Sequence, residues 1–160
     1  MTSETKSARS ATQGVFTIER AFAASPARVF AAFATPEGKS RWFSGSDEWT
    51  LLHREMDFSV GGRERLEGRW PSGKVSAFNS IYFDIAPNER IIHCYDMHVD
   101  GVLISVSLAT IEMRPQGAGT RLTYTEQGMF LDGYDDNGSR EHGARFLLDR
   151  LEASLATVDA

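Results

Sequence analysis

Three side chains could do chemistry by their type and place: Glu64, His93 and Glu126, each in a run that alternates like a strand with one apolar face. Successive strand residues point to opposite faces, so Glu64 shares a face with Leu66, His93 with Ile91, Tyr95 and Met97, and Glu126 with Leu122 and Tyr124. Arg63, Arg65, Glu67 and Arg69 then point away from that face. A wall that mixes Tyr, Met and Leu with isolated carboxylates and an imidazole suits a mostly apolar ligand carrying one polar handle. A buried glutamate also needs a partner or a raised pKa, and a raised pKa is a standard route to a general acid or base. Plainer roles compete with each of these. His93 has the ordinary role of a core histidine bonded to a backbone carbonyl or a tyrosine. Glu126 stands near the expected end of its strand, where a carboxylate is solvated at the rim, and the Gly61-Gly62 turn leaves burial and exposure equally open for Glu64.

Other chemistries find no anchor. His93 and His98 are five apart in one strand and point to opposite faces, and His53 and His142 lack partners at ligand spacing, so no metal is expected. No Gly-x-Gly-x-x-Gly string occurs, and Gly38-Lys39-Ser40 has Phe33 where a phosphate loop needs its first glycine, which argues against phosphate-loop nucleotide binding; no strand-turn-helix elbow presents a nucleophilic serine. No cofactor is expected. The single cysteine, Cys94, lies between Ile92 and Tyr95 and reads as a buried structural thiol. A net charge of -5, with no long run of Lys or Arg, argues against a nucleic-acid partner. The longest apolar stretch, 29–34, is far short of the roughly 20 residues a membrane span needs, and the N-terminal residues lack the apolar core of a signal peptide. The expected location is the cytoplasm.

The elements that must position these residues follow from period and punctuation. A chain of 160 residues, 41% hydrophobic and 24% charged, suits one domain with a real core. Residues 1–13, rich in Ser, Thr and Ala, read as a disordered leader, and 14–157 as a single domain. Phe16 and Ile18 alternate with Val15, Thr17 and Glu19 in a first strand. Ser25-Pro26 and Thr35-Pro36 each supply a cap followed by a first-turn proline, so two short helices follow back to back, the second ending near Trp42-Phe43. Over 48–128 short runs are broken by Gly61-Gly62, Pro71-Ser72-Gly73, Pro87-Asn88, Asp100-Gly101 and Gln116-Gly117-Ala118-Gly119, which predicts six strands in successive hairpins. The spacing leaves no room for crossover helices, so the strands are antiparallel neighbours and the first completes a seven-stranded sheet.

A capped amphipathic helix over 139–155 ends the domain. At about 100° per residue, Leu147, Leu148, Leu151, Leu155 and Val158 fall within about 60° of Ala144, a stripe that must pack on the sheet. Phe146 lies about 200° from Ala144 and is expected beneath a loop or a second subunit, which is the reason to look for a homodimer. Arg145 and Arg150 read as solvated. Of Trp42, Trp49 and Trp70, Trp49 is placed nearest the cavity.

The order of strand, two short helices, six-stranded meander and long C-terminal helix resembles the α+β helix-grip fold of the START and birch-pollen-allergen (SRPBCC) superfamily, a curved antiparallel sheet wrapped around the last helix. Within it the chain is similar to homologues of the C-terminal domain of the heat-shock protein 90 ATPase activator. The likeness rests on Ser25-Pro26-Ala27-Arg28-Val29-Phe30, Val60-Gly61-Gly62-Arg63, Asp84-Ile85-Ala86-Pro87 with Arg90, Gly119-Thr120-Arg121-Leu122-Thr123, and 147–155. The segment Thr125-Glu126-Gln127-Gly128-Met129-Phe130-Leu131-Asp132-Gly133 looks like a bacterial branch whose members mostly lack an assigned activity.

The resemblance implies a cavity between sheet and helix, roofed by Ala144 and Leu148. Many relatives carry tryptophan after the glycine that matches Gly143, so Ala144 would enlarge that cavity. At roughly 24 cal/mol per Å³, a dry void of about 300 Å³ would cost on the order of 7 kcal/mol, comparable with the whole stability of a small domain. Side chains, water or a ligand must fill it. The expected function is the binding of a small lipophilic or aromatic molecule, with Trp49, Leu66, Tyr95, Met97 and Tyr124 as apolar contacts and Glu64, His93 and Glu126 as polar ones. Two alternatives remain. One is a cyclase, hydratase or aldol-type enzyme using Glu64, Glu126 or His93 as acid or base; the other is a chaperone-ATPase regulator acting through surface charge.

Overall fold

Two cap-and-proline signals set the first turns of the fold. In the computed structural model, which describes residues 9–158 without the side chains of Thr157 and Val158, Ser25 Oγ accepts from the Arg28 amide at 3.3 Å and Thr35 Oγ1 from the Gly38 amide at 3.0 Å. The first opens α1 (Pro26–Ala34) and the second opens α2 (Pro36–Ser40). The α2 helix stops at Ser40, short of the predicted Trp42-Phe43, and these aromatics turn inward instead: Trp42 Nε1 donates to the Ala32 carbonyl at 3.0 Å. Gly38 lets α2 crowd the end of α1, because a Cβ there would lie 2.8 Å from the Ala31 carbonyl oxygen. That close approach carries the next residue, Lys39, to the inside of the fold, where it is 5% exposed.

Among the described residues, seven strands form one antiparallel sheet in the order β1-β7-β6-β5-β4-β3-β2. They are β1 (Ala11–Phe22), β2 (Thr50–Met56), β3 (Arg63–Arg69), β4 (Val75–Ala86), β5 (Arg90–Val99), β6 (Val102–Gln116) and β7 (Gly119–Leu131). The hairpins are those the turn signals predict, and left-handed Gly61, Gly73, Gly101 and Gly117 occupy four of them. Two boundaries differ from expectation. Ala11, Thr12 and Gln13, read as leader, pair with Leu131, Phe130 and Met129, because the long β7 offers them a ladder; the first eight residues of the expected leader lie outside the described residues. β7 also runs on to Leu131, which puts Glu126 in mid-strand and not at a rim.

The final helix, α3 (Asn137–Val158), starts earlier than its sequence cap suggests. Asp136 caps it, accepting the Ser139 amide at 2.8 Å, and Asn137 Nδ2 ties it to the Val15 carbonyl at 3.0 Å. Leu148, Leu151 and Leu155 bury the apolar stripe against Phe16, Ile18, Ile91, Ile111 and Leu122 of the sheet, with Val29 and Phe33 of α1 closing the side. Val158, the last member of the predicted stripe, has its side chain outside the described residues. No helix among the described residues is long and apolar enough to cross a membrane.

Candidate functional site

Strand register brings the polar residues of the inner face together. His93 and Glu126 face each other across Ala109 in one row of the sheet, and Glu64, Ser80, Tyr95, Ser107 and Gly128 form the next row. Ala109, Ser107 and Gly128 are small, so this belt is also where the sheet leaves room above itself. A Cβ on Gly128 would lie 2.8 Å from Ser107 Oγ.

At the α3 end of the belt, Glu126 is 2% exposed and fully partnered. Tyr124 OH donates to Oε1 and Tyr95 OH to Oε2, each at 2.7 Å. Arg140 descends from α3 and spreads its guanidinium over several acceptors: Ser105 Oγ at 2.7 Å, Tyr95 OH at 2.9 Å, Asp135 Oδ2 at 3.0 Å and, more loosely, Glu126 Oε2 at 3.4 Å. Burial, with the Glu126 charge next, pushes the Tyr95 phenol well above its usual range, and Tyr124 moves the same way for the same reasons. For Arg140 burial acts the other way, but Tyr95, Glu126 and Asp135 outweigh it and raise the pKa. The arginine therefore stays charged and the phenols stay protonated donors.

At the α2 end, Glu64 is also 2% exposed. Lys39 Nζ donates to its Oε1 at 2.8 Å and Tyr82 OH to the same oxygen at 2.5 Å. Burial would raise the Glu64 pKa; the Lys39 charge and the two hydrogen bonds overcome it and hold the carboxyl below its ordinary value. Lys39 Nζ also lies 4.5 Å from the Phe43 ring centre. His93 bonds Ser80 Oγ through Nδ1 at 2.9 Å, where the sequence suggested a carbonyl or a tyrosine; Ser80 occupies the neighbouring strand position. Burial first and the Lys39 charge second lower the His93 pKa to about 3. At neutral pH the ring is uncharged, and so weak a base is better suited to hydrogen bonding than to proton abstraction.

Between these two polar ends and beneath α3 lies a pocket of about 360 Å³, within the size range of small-molecule sites. Its walls include Phe33, Trp42, Phe43, Phe78, Ile111 and Leu147. Of the residues predicted from sequence, His93, Tyr95, Met97, Tyr124, Glu126, Ala144 and Leu148 line it. Trp49, Glu64 and Leu66 do not. Trp49 is drawn away because Gly68 has no side chain and the indole lies against that strand, where a Cβ would collide with the ring. It packs with Leu66, Phe78 and Tyr95 behind the pocket wall, and the tryptophans that reach the pocket are Trp42 and Trp70. Glu64 stands one layer back, behind Lys39.

Three further expectations change. Phe146 is neither under a loop nor simply opposite the sheet; it is 41% exposed and reaches the pocket edge. Arg150 is half-buried and not solvated, with its guanidinium 5.6 Å from the Phe146 ring centre and Nη1 3.4 Å from the Gly45 carbonyl. Cys94 is half-buried on the outer face of the sheet, opposite His93, because no second layer among the described residues covers that face; burial raises its pKa. Among the described residues, no three or more His, Cys, Asp or Glu side chains gather as a metal site requires.

Residues that the sequence reading missed carry much of the site. Lys39 left no signal, since a lysine on a short polar helix reads as solvated. Arg140 did leave one: counted at about 100° per residue it falls about 40° from Ala144, a lone charge inside the apolar stripe. Tyr82 and Ser80 share strand parity with the buried Phe78.

Comparison with known proteins agrees with this architecture. The model of the family described as Activator of Hsp90 ATPase homolog 1-like protein matches residues 23–156. An uncharacterised protein of Rhizobium leguminosarum is 42% identical, with a TM-score of 0.90 over 94% of this chain and 99% of that one. The Mll3558 protein of Rhizobium loti is 41% identical, with a TM-score of 0.84 over 91% of this chain and 99% of that one. An AHSA1-like protein of Aeromonas hydrophila, 17% identical with a TM-score of 0.69 over 91% of this chain and 94% of that one, shares the fold. No curated protein matches the chain.

Proposed function

The chain belongs to the Activator of Hsp90 ATPase homolog 1-like family of the SRPBCC superfamily, and on that premise we propose that it binds a small lipophilic or aromatic molecule between the sheet and α3. The observation that carries the reading is the pocket of about 360 Å³ between the sheet and α3, walled by aromatic side chains and ending on buried polar groups. The pocket opens to solvent past Trp70 and Phe146, so water can enter it, and an apolar occupant that displaces this water from the aromatic walls stabilises the fold. Tyr95, Tyr124 and Arg140 would meet the occupant at one end and Lys39 and His93 at the other.

Native mass spectrometry of freshly purified protein, set against the same sample denatured, tests this directly. The expected result is a discrete adduct that is lost on denaturation. Ala144→Trp is the matching variant: the indole fills the pocket, so thermal stability rises and uptake of a neutral dye such as Nile red falls at least tenfold. A chaperone-regulating role, which the family's description brings to mind, predicts instead an unliganded protein whose ATPase-stimulating effect survives Ala144→Trp.

A further inference from the structure

The two ends of the pocket differ in what they have left to offer. At the α3 end Arg140 is committed to Ser105, Tyr95, Asp135 and Glu126, and each Glu126 oxygen already accepts a phenol. At the α2 end the donors are not used up. Lys39 Nζ carries three N–H groups, and its hydrogen bonding among the described residues is the single one to Glu64. His93 Nε2 has no hydrogen-bond partner among the described residues, and it is not sealed in the core, since the buried partnerless atoms are His98 Nδ1 and Arg150 Nε. Both side chains line the same pocket while being only 5% and 7% exposed. The Ser80 hydroxyl can donate or accept at Nδ1; in the tautomer where it donates, the Nε2 nitrogen of the neutral ring carries the proton and faces the pocket as a donor.

Resting on the ligand-binding reading above, we propose that Lys39 and His93 form an acceptor-oxygen subsite, and that the ligand is an aromatic or lipophilic carbonyl compound whose C=O points at Lys39 Nζ and His93 Nε2. Charge balance selects a neutral carbonyl over a carboxylate. Glu64 already neutralises Lys39 at 2.8 Å, and among the described residues Lys39 is the cation that lines this end of the pocket, so a second buried anion there would go unpaired. Phe43 and Phe78, packed edge to face at 4.9 Å between ring centres, and Tyr95, tilted 4.9 Å beyond Phe78, supply the aromatic wall beside the subsite.

The test uses three probes of nearly equal shape, 2-acetylnaphthalene, 2-ethylnaphthalene and 2-naphthoate, competing with Nile red at neutral pH. The acetyl compound should bind roughly tenfold more tightly than the ethyl compound, the effect of one to two net hydrogen bonds, and the naphthoate more weakly than the acetyl compound. His93→Phe, and Lys39→Met combined with Glu64→Gln so that no orphan carboxylate remains, should each erase most of that preference, read as the ratio of acetyl to ethyl affinity within the same variant. Isotope-edited infrared spectra of carbonyl-labelled 2-acetylnaphthalene on the unmodified protein give a readout free of folding effects: the C=O stretch should move to lower frequency on binding. Equal affinities for acetyl and ethyl compounds, an unshifted stretch, or tightest binding of the naphthoate would overturn this subsite while leaving the pocket reading standing. Failure of all three probes, with Nile red uptake indifferent to Ala144→Trp, would overturn both.

Discussion

Glu64 and Glu126 are equally buried, at 2% exposure each, yet they are held in opposite ways. Lys39 and Tyr82 converge on one oxygen of Glu64, so that carboxylate is held chiefly by one directly bonded cation with a phenol beside it. Glu126 receives a separate phenol on each oxygen, and Arg140 stands 3.4 Å off, occupied chiefly with Ser105, Tyr95 and Asp135. The first arrangement is a closed ion pair that pins α2 to the sheet. The second is a distributed network in which neutral donors stabilise the anion and the arginine ties α3 and its preceding loop to β5 and β6. A buried charge can thus be kept by one strong partner or several weaker ones, and the two designs fail differently.

The largest effect is expected from Lys39→Met, which strands the Glu64 anion and should cost about 3–5 kcal/mol at pH 7 in urea unfolding. That loss should shrink toward pH 4, where the orphaned carboxyl can protonate. Arg140→Met should cost less, about 2–3 kcal/mol, because both phenol bonds to Glu126 survive. A loss equal to that of Lys39→Met would mean that Arg140, and not the tyrosines, holds the charge.

Acid should weaken the α2 end first. The unfolded His93 takes up a proton below its usual value of 6.5, whereas the folded one does so only near 3. Its contribution is therefore complete above pH 6.5 and falls by about 1.4 kcal/mol per pH unit on the way down, about 2 kcal/mol by pH 5. Glu64, whose folded pKa lies below its ordinary value of 4.5, adds its own loss only at lower pH. In His93→Phe the stability profile between pH 6.5 and 5 should lose that slope; an unchanged slope would place the titrating group elsewhere. The smallest effects, about 1.5 kcal/mol each, are expected for Tyr82→Phe and Tyr124→Phe, since each removes one phenol from a carboxylate that keeps another partner. A markedly larger loss in Tyr82→Phe would show that Lys39 alone cannot sustain Glu64.

Much of the fold is legible in local pattern, because caps, first-turn prolines, turn glycines and period-two runs act over a few residues. Ser25, Thr35 and the hairpin glycines do what their types imply. The inner-face parity of Tyr95, Tyr124 and Glu126 is legible for the same reason. Trp49 was not, since its position depends on a side chain that Gly68 lacks, and Lys39 was not, since its burial depends on how closely α2 approaches α1. The end of β7 was missed because its last residues are held by pairing with Ala11, Thr12 and Gln13, more than a hundred residues away in sequence.

Local sequence order, then, determines the elements, their succession and which faces are apolar, because backbone preference and hydrophobic period are short-range properties. The carboxylate partners, the shape of the pocket and the split between spent and unspent donors belong to the folded chain. Lys39 meets Glu64, and Arg140 meets Tyr95, only after the sheet has curved and both helices have docked; hydrogen bonds reach about 3 Å, and nothing short of the whole fold brings those atoms that near.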